Sequence, residues 1–192
     1  MKSSQQILGL PVLSIEEGRY IGAVKHLVIN PKPGRVDYIL VEDKTWYKGL
    51  KALAFKDIQG IGETALTVAG ASSLTFVDEC AGAVNLMEKN ISLPGLKVLS
   101  NKGRLIGIVN EYFIDDNGGE IISCEFKPSN SELPPDTIPR KSILTFGCDF
   151  LVVEDGAGEK PAVEPDQHGF VDRTEDQPEP PDQHGFVDKT ED

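Results

Sequence analysis

Short apolar runs alternate with turn residues along the first 70 residues of the chain. Residues 12–15 and 20–29 are rich in β-branched and aliphatic side chains, and an acidic turn that ends in Gly18 separates them. Residues 36–41 form the next run, after a break that contains Pro33-Gly34. Because proline fixes φ and glycine accepts a positive φ, this dipeptide is typical of a tight turn. The pattern predicts three strands joined by turns.

The longest of these runs is apolar on both faces. Alternation places Ile21, Ala23 and Leu27 on one face and Val24 and Val28 on the other. Such a strand is typical of a curled sheet that closes around a core. Three more short strands are predicted, and the segment after them is compatible with one short helix. The strands are residues 50–55, 58–61 and 65–68, and the helical segment is residues 71–86.

The same pattern is written a second time later in the chain. Residues 18–24, with the sequence GRYIGAV, recur as residues 103–109, GRLIGIV, at an offset of 85. The offset also relates Val36 to Ile121, Lys56 to Lys141 and Val68 to Val153. A register that holds over some fifty residues indicates duplication. We therefore predict a first small barrel at residues 1–77, a connector at 78–90, a second barrel at 91–155 and a tail at 156–192.

Gly22 and its counterpart Gly107 lie inside predicted strands. A glycine at such a position usually marks a sharp bend or a close approach of two backbones at a barrel corner. No helix signal follows Gly22, and the spacing of a nucleotide-binding fingerprint is absent. We interpret both glycines as structural.

At this point the residues resemble a known family, the PRC-barrel. The resemblance rests on the Gly-x-x-Ile-Gly-x-Val unit at residues 18–24, a strand that ends in Asn30 or Asp115, and a glycine turn into the next strand. The closing segment around residues 146–149 is also similar to the end of that module. The resemblance covers about residues 7–77 and 91–155. It implies an all-β fold of two tandem small PRC-type β-barrels, which a disordered acidic tail would follow.

The family implies small barrels that dock on larger complexes, such as photosynthetic reaction centres or ribosomes. The chain departs from the reaction-centre subunit because it shows no membrane helix, and from the ribosome maturation factors because it shows no companion N-terminal domain. The resemblance therefore implies a fold and an adaptor-like role, and it names no chemistry.

Charge separates the repeated region from the tail. Residues 154–192 carry 13 acidic and 3 basic residues, whereas the whole chain has a net charge of −12. Proteins bind phosphate backbones mainly through clustered basic residues, so nucleic acid is a disfavoured partner. A small basic face formed by Lys44, Lys48, Lys51 and Lys56 is the local exception. No apolar stretch approaches the length of a membrane span, which predicts a soluble cytoplasmic protein without membrane insertion.

Candidate catalytic chemistry is sparse in the repeated region. His26 is its only histidine, and the equivalent position of the second copy holds Glu111. No triad motif, metalloenzyme signature or phosphate loop is present, so the sequence predicts a non-enzyme without cofactor or structural metal site. The three cysteines lack metal-ligand spacing, and Cys124 matches Ile39 of the first copy, which predicts a core residue.

The tail contains a second, unrelated repeat. Residues 165–176, PDQHGFVDRTED, return as residues 181–192 with Arg173 replaced by Lys189. One apolar pair per copy cannot offset the entropy of ordering such a segment, so the tail is predicted to be disordered when free. One interpretation is a linear motif presented twice to gain avidity, and the other is a duplicated solubilising tail. The motif residues predicted to bind a partner are His168, Phe170, Val171, Asp172, His184, Phe186, Val187 and Asp188.

Together these features predict a non-enzymatic adaptor or assembly protein. Its barrels would dock on a larger protein complex, and its tail motif would recruit a protein partner bivalently. The alternative is an RNA- or ribosome-associated maturation factor, and a hydrolase that uses His26 ranks third. The partner's identity and the formation of a homo-oligomer stay open.

Overall fold

The computed structural model describes residues 1–43, 49–130 and 133–157, which lie in one compact unit. The chain begins with a short strand and a short helix, β1 (Lys2–Ser3) and α1 (Ser4–Ile7). A second helix, α2 (Ala81–Met87), separates the two groups of strands. The first group is β2 (Pro11–Ser14), β3 (Arg19–Asn30), β4 (Arg35–Glu42), β5 (Leu50–Ala54), β6 (Ile58–Ile61), β7 (Leu66–Val68) and β8 (Leu74–Phe76). The second group is β9 (Lys97–Ser100), β10 (Leu105–Ile114), β11 (Ile121–Pro128), β12 (Asp136–Pro139), β13 (Ile143–Phe146) and β14 (Phe150–Val153).

The strands form two sheets of matching order. Within the described residues the first sheet runs β6-β7-β2-β3-β4-β5-β8, and the second runs β13-β14-β9-β10-β11-β12. Neighbours are antiparallel except for β2 with β7 and β9 with β14, which are parallel. The predicted all-β class with two consecutive sheets is confirmed. None of the helices in the described ranges is long and apolar enough to cross a membrane.

The two sheets agree residue by residue, with one shift. Val12 pairs with Leu66 in the first sheet, as Val98 pairs with Leu151 in the second. The first pair of equivalent residues, Val12 and Val98, is 86 apart, whereas Leu66 and Leu151 are 85 apart. The segment from Val98 to its partner Gly107 is therefore one residue shorter than the equivalent segment from Val12 to Gly22.

Gly22 lies where β3 crosses the end of β4. A Cβ atom at this position would lie 2.6 Å from the carbonyl oxygen of Glu42 and 2.6 Å from Cγ1 of Val41. Gly107 faces the backbone of Lys127 in the same way in the second sheet. The predicted close approach of two backbones is confirmed at both positions.

The buried side chains of both sheets form one continuous hydrophobic core. It includes Ile39 and Leu66 from the first sheet together with Phe126 and Leu151 from the second, all at most 1% exposed. A sheet of this size buries too little apolar surface to be stable alone. The shared core therefore joins the two sheets into one folding unit.

The β3–β4 turn of one sheet pairs with the β10–β11 turn of the other. Val36 N–H donates to the Gly119 carbonyl at 2.8 Å, and Ile121 N–H donates to the Gly34 carbonyl at 3.0 Å. The four residues are related by the offset of 85, so each bond is the counterpart of the other. We call these paired segments the turn junction. It gives the two sheets an approximate two-fold relation.

Arg140 reinforces the turn junction from the second sheet. Its guanidinium donates to the Pro33 carbonyl at 3.2 Å and to the Ile143 carbonyl at 3.0 Å. The guanidinium carbon also lies 5.0 Å from the centre of the Phe146 ring. One side chain thus connects the β3–β4 turn to the interior of the second sheet.

The N-terminus crosses to the second sheet, which the sequence did not predict. β1 pairs with β10, and the carboxylate of Glu111 on that strand is 7% exposed. This carboxylate accepts hydrogen bonds from the Ser4 hydroxyl, from the backbone N–H groups of Ser4 and Gln5 at 3.2 Å, and from that of Tyr112 at 2.8 Å. Glu111 therefore satisfies the first N–H groups of α1, which have no partner within the helix.

We predict that Gly22→Ala lowers the free energy of unfolding by about 1–3 kcal/mol, because the new methyl group must displace the β4 backbone. Urea unfolding followed by circular dichroism measures the change. Gly60→Ala is the matched control, since its Cβ would meet only the Thr67 hydroxyl at 3.4 Å. Equal stability of the two variants would contradict the close approach.

We also predict that Glu111→Ala lowers the free energy of unfolding by about 1–3 kcal/mol, because it leaves buried donors on α1 and β10 without an acceptor. The same urea titration measures the loss. Glu120→Ala removes an exposed carboxylate from the turn between β10 and β11 and should change stability by no more than about 0.5 kcal/mol. A loss of equal size in Glu120→Ala would show that Glu111 has no special role.

Candidate functional site

Helix α2 covers the outer face of the first sheet. Its Ala83 and Leu86 are buried against Val28, Leu40 and Ala52, which lie on three neighbouring strands. These five residues form a second hydrophobic cluster, outside the shared core. The solvent-exposed face of an antiparallel sheet is usually polar. Apolar side chains on this face are therefore stable only if another element, here α2, covers them.

The second sheet has a different outer face at the equivalent positions. The residues that correspond to Val28, Leu40 and Ala52 are Phe113, Glu125 and Thr137. Glu125 accepts a hydrogen bond from the Asn110 side chain at 2.8 Å. A carboxylate and a hydroxyl at this place do not favour a covering helix. The helix-covered face is therefore specific to the first sheet.

A groove opens between α2 and the β5–β8 edge of the first sheet. It has a volume of about 730 Å³. The side chains of Phe76 and Met87 at its surface are 42% and 38% exposed. The lining residues within the described part of the chain are Gly49, Leu50, Phe76, Val77, Asp78, Val84, Met87 and Glu88.

The groove combines an apolar lining with a charged border. Asp78 and Glu88 supply two exposed carboxylates at its edge. Lys51 is already engaged, because its ammonium lies 5.4 Å from the centre of the Phe76 ring and 3.6 Å from the Asp43 carboxylate. The groove thus fits an apolar side chain of a binding partner better than a polar substrate.

Tyr38 and Cys80 lie beside the same helix. Burial is the largest cause that raises the pKa of Tyr38, and the interaction with the nearby Cys80 thiol and the charge of Asp37 raise it further. Tyr38 also closely approaches Gly82 of α2. These contacts hold the start of the helix against the sheet.

His26 lies at a different place, at the border of a recess of about 80 Å³ between the two sheets. Ser4 and Tyr112 also line this recess. The His26 side chain is exposed, and partial desolvation lowers its pKa. Within the described residues no carboxylate is hydrogen-bonded to it, and Ser4 bonds to Glu111 instead. In the part of the chain that the structure describes, His26 is therefore hydrogen-bonded to no nucleophile and no carboxylate.

The remaining predictions concern the tail motif, the basic face and Cys124. The tail residues His168, Phe170, Val171, Asp172, His184, Phe186, Val187 and Asp188 lie outside the described residues, as do Lys44 and Lys48. Lys51 of the predicted basic face is occupied by Asp43 and Phe76. Cys124 is fully buried, which confirms its predicted place in the core. Within the described ranges no group of three potential metal ligands comes together.

The groove was not predicted from the sequence, because its lining combines residues from two separately predicted regions. Residues 49, 50, 76 and 77 belong to the predicted first barrel, and residues 78, 84, 87 and 88 belong to the predicted connector. A signal was present: Val77, Val84 and Met87 recur at spacings that place them near one face of a helical segment. The turn residues around Cys80 interrupt that pattern, and β8 has only three residues. A strand so short carries little periodicity of its own.

Comparison with known proteins supports the fold of the first sheet. Residues 1–68 match the family model of the PRC-barrel domain. The matched residues run from β1 to β7, and most of the groove lining lies beyond the end of the match. A search of curated proteins finds no match to the chain.

We predict that iodoacetamide at pH 8 alkylates the cysteines in the order Cys148, Cys80, Cys124. Cys148 is exposed and Cys80 is half-buried beside α2, whereas burial raises the pKa of Cys124 to about 12. The thiolate is the reactive form, so a buried thiol with a high pKa reacts slowly. Peptide mass spectrometry over time measures the three rates, and comparable rates in urea serve as the control. Native alkylation of Cys124 as fast as that of Cys148 would contradict the packing.

Proposed function

We propose that the protein is a non-enzymatic adaptor or assembly protein with two tandem PRC-type barrels. The groove of the first barrel binds a segment of a protein partner, and the duplicated tail motif recruits a partner bivalently. The observation that carries the proposal is the groove itself, in which two large apolar side chains are left partly exposed. The PRC-barrel domain at residues 1–68 adds support, because the family implies docking modules.

The side chains of the groove suit protein recognition. Large apolar and aromatic residues in desolvated pockets supply most of the binding energy at protein interfaces. Phe76 is fixed by the Lys51 ammonium, so a partner that covers the ring orders few additional rotors. Methionine adapts its shape to different partners. Phe76 is therefore a pre-organised anchor for a partner, and Met87 in the same groove is an adaptable one.

The border of the groove indicates the chemistry of the partner. Asp78 and Glu88 are exposed carboxylates among the residues that line the groove. A partner segment with an apolar anchor flanked by Lys or Arg would pair with both features. Charge complementarity of this kind raises the association rate and selects the partner.

The tail adds a second mode of binding. Its two copies of the sequence QHGFVD each offer a Phe-Val pair and an acidic flank. After one copy has bound, the second engagement is intramolecular, which increases the overall affinity without any new contact. A partner that presents two receptor sites would gain most from this arrangement.

Affinity capture from native lysate with four full-length baits tests the proposal. The baits are wild type, Met87→Glu, the double variant Phe170→Ala with Phe186→Ala, and Ile15→Ser. Ile15 is 57% exposed on the turn after β2, away from the groove lining, which makes it the matched control. Bound proteins are identified by mass spectrometry.

We expect Met87→Glu to lose one partner, the tail variant to lose a partner, and Ile15→Ser to retain both. With the purified partner, Met87→Glu should weaken binding at least about tenfold by calorimetry, because it places a charge among apolar anchors. An unchanged partner set for Met87→Glu would refute the groove as a docking site. An unchanged set for the tail variant would leave the tail as a solubilising segment.

A further inference from the structure

The outer face of the second sheet carries a row of alternating basic and apolar side chains. Strand pairing places Lys127, Ile108, Lys97 and Phe150 side by side across β11, β10, β9 and β14. All four side chains are exposed. Because neighbouring strands lie about 4.8 Å apart, the row extends over roughly 14 Å.

A second row next to it is mostly apolar. The pairing aligns Leu105, Leu99, Val152 and Thr145 across β10, β9, β14 and β13. Leu144, at the bulge of β13, extends this row toward the sheet edge. Leu105, Ile108, Leu144 and Phe150 are 47, 48, 51 and 40% exposed. We call the two rows together with Leu144 the Ile108 face.

The first sheet shows that the fold does not require these side chains. The positions equivalent to Lys97, Ile108, Lys127 and Phe150 hold Pro11, Ala23, Glu42 and Ala65. Both sheets keep the same strand order although this row is small and acidic in one and large and basic in the other. Exposed large apolar groups that the scaffold does not need mark an interaction site.

We propose that the Ile108 face binds an acidic amphipathic segment of a partner protein. Lys97 and Lys127 lie on either side of Ile108, and neither forms an ion pair within the described part of the chain. Carboxylates of the partner would pair with the two lysines, while its apolar side chains would cover Ile108 and Phe150. This site is separate from the groove and goes beyond the proposed function.

Other occupants fit the charges less well. A second copy in a two-fold contact would bring the same two lysines to the interface and would offer them no carboxylate from these rows. An anionic membrane is an extended surface, so it would attract the two lysines but also repel the acidic residues 154–192. A short acidic segment needs to contact only the Ile108 face.

Two labelled peptides test the proposal on the full-length protein. Both are designed amphipathic helices with leucines on one face. The opposite face carries glutamates in the Glu/Leu peptide and lysines in the Lys/Leu peptide. Fluorescence anisotropy at low and high salt measures their affinities. The Glu/Leu peptide probes the Ile108 face, whereas the acidic border of the groove favours the Lys/Leu peptide.

We expect the wild type to bind the Glu/Leu peptide, with an affinity that falls as salt rises. Lys97→Glu with Lys127→Glu, and separately Ile108→Ser with Phe150→Ser, should each weaken this binding at least about tenfold, since each removes central anchors. Lys32→Glu with Lys56→Glu, Ile15→Ser and Met87→Glu should leave it unchanged. We expect all variants to fold, because every substituted side chain is exposed. Circular dichroism melting checks this.

Three results would overturn the proposal. Glu/Leu binding that survives both double variants, or that Met87→Glu abolishes, would place the peptide elsewhere. Vesicles of phosphatidylserine and phosphatidylcholine that bind wild type but not Lys97→Glu with Lys127→Glu would identify a lipid occupant. Sedimentation showing a dimer that Ile108→Ser with Phe150→Ser dissociates would identify a second copy. The vesicle and sedimentation results do not bear on the groove, and loss of binding in Met87→Glu would place the peptide in the groove itself, so the two proposals fail on different results.

Discussion

The pairing of the two turns at the turn junction is the contact on which the rest of this structure depends. Two backbone hydrogen bonds, Val36 to Gly119 and Ile121 to Gly34, fix one sheet against the other at equivalent points. With that relation fixed, the inner faces of both sheets close over one core. The side chains on the outer faces do not contribute to this core, because the core lies between the inner faces of the two sheets. Their identity can therefore change without loss of core packing.

This division explains where the two repeats agree and where they differ. Positions that serve the backbone or the core keep their character, as with Gly22 and Gly107. Outward positions diverge: the first sheet gained an apolar face under α2, and the second gained the Ile108 face. His26 and Glu111 are the extreme pair, since one is exposed and the other buried beneath α1. The two sheets thus share one strand order and carry two different outer surfaces.

The sequence predicted those parts of the fold that rest on local signals. Alternation and turn residues located β3, β4 and β6 to within one residue, and the internal glycines indicated the close approaches. The crossing of β1 to β10 could not be predicted, because two residues carry no periodicity and their partner, Glu111, is distant in sequence. The groove was missed for a related reason, since it arises only when α2 packs on strands that precede it by some 30 to 60 residues.

The opposite charges of the two outer surfaces would allow an adaptor to select a different partner at each surface. The groove has carboxylates at its border, whereas the Ile108 face has two lysines within its rows. Apolar area alone would make both surfaces attractive to any amphipathic segment, so it cannot select between partners. The charges supply the repulsive element, because a segment suited to one surface meets like charge on the other. A scaffold with two such surfaces can hold two partners at once without exchanging them, which is what an assembly protein requires.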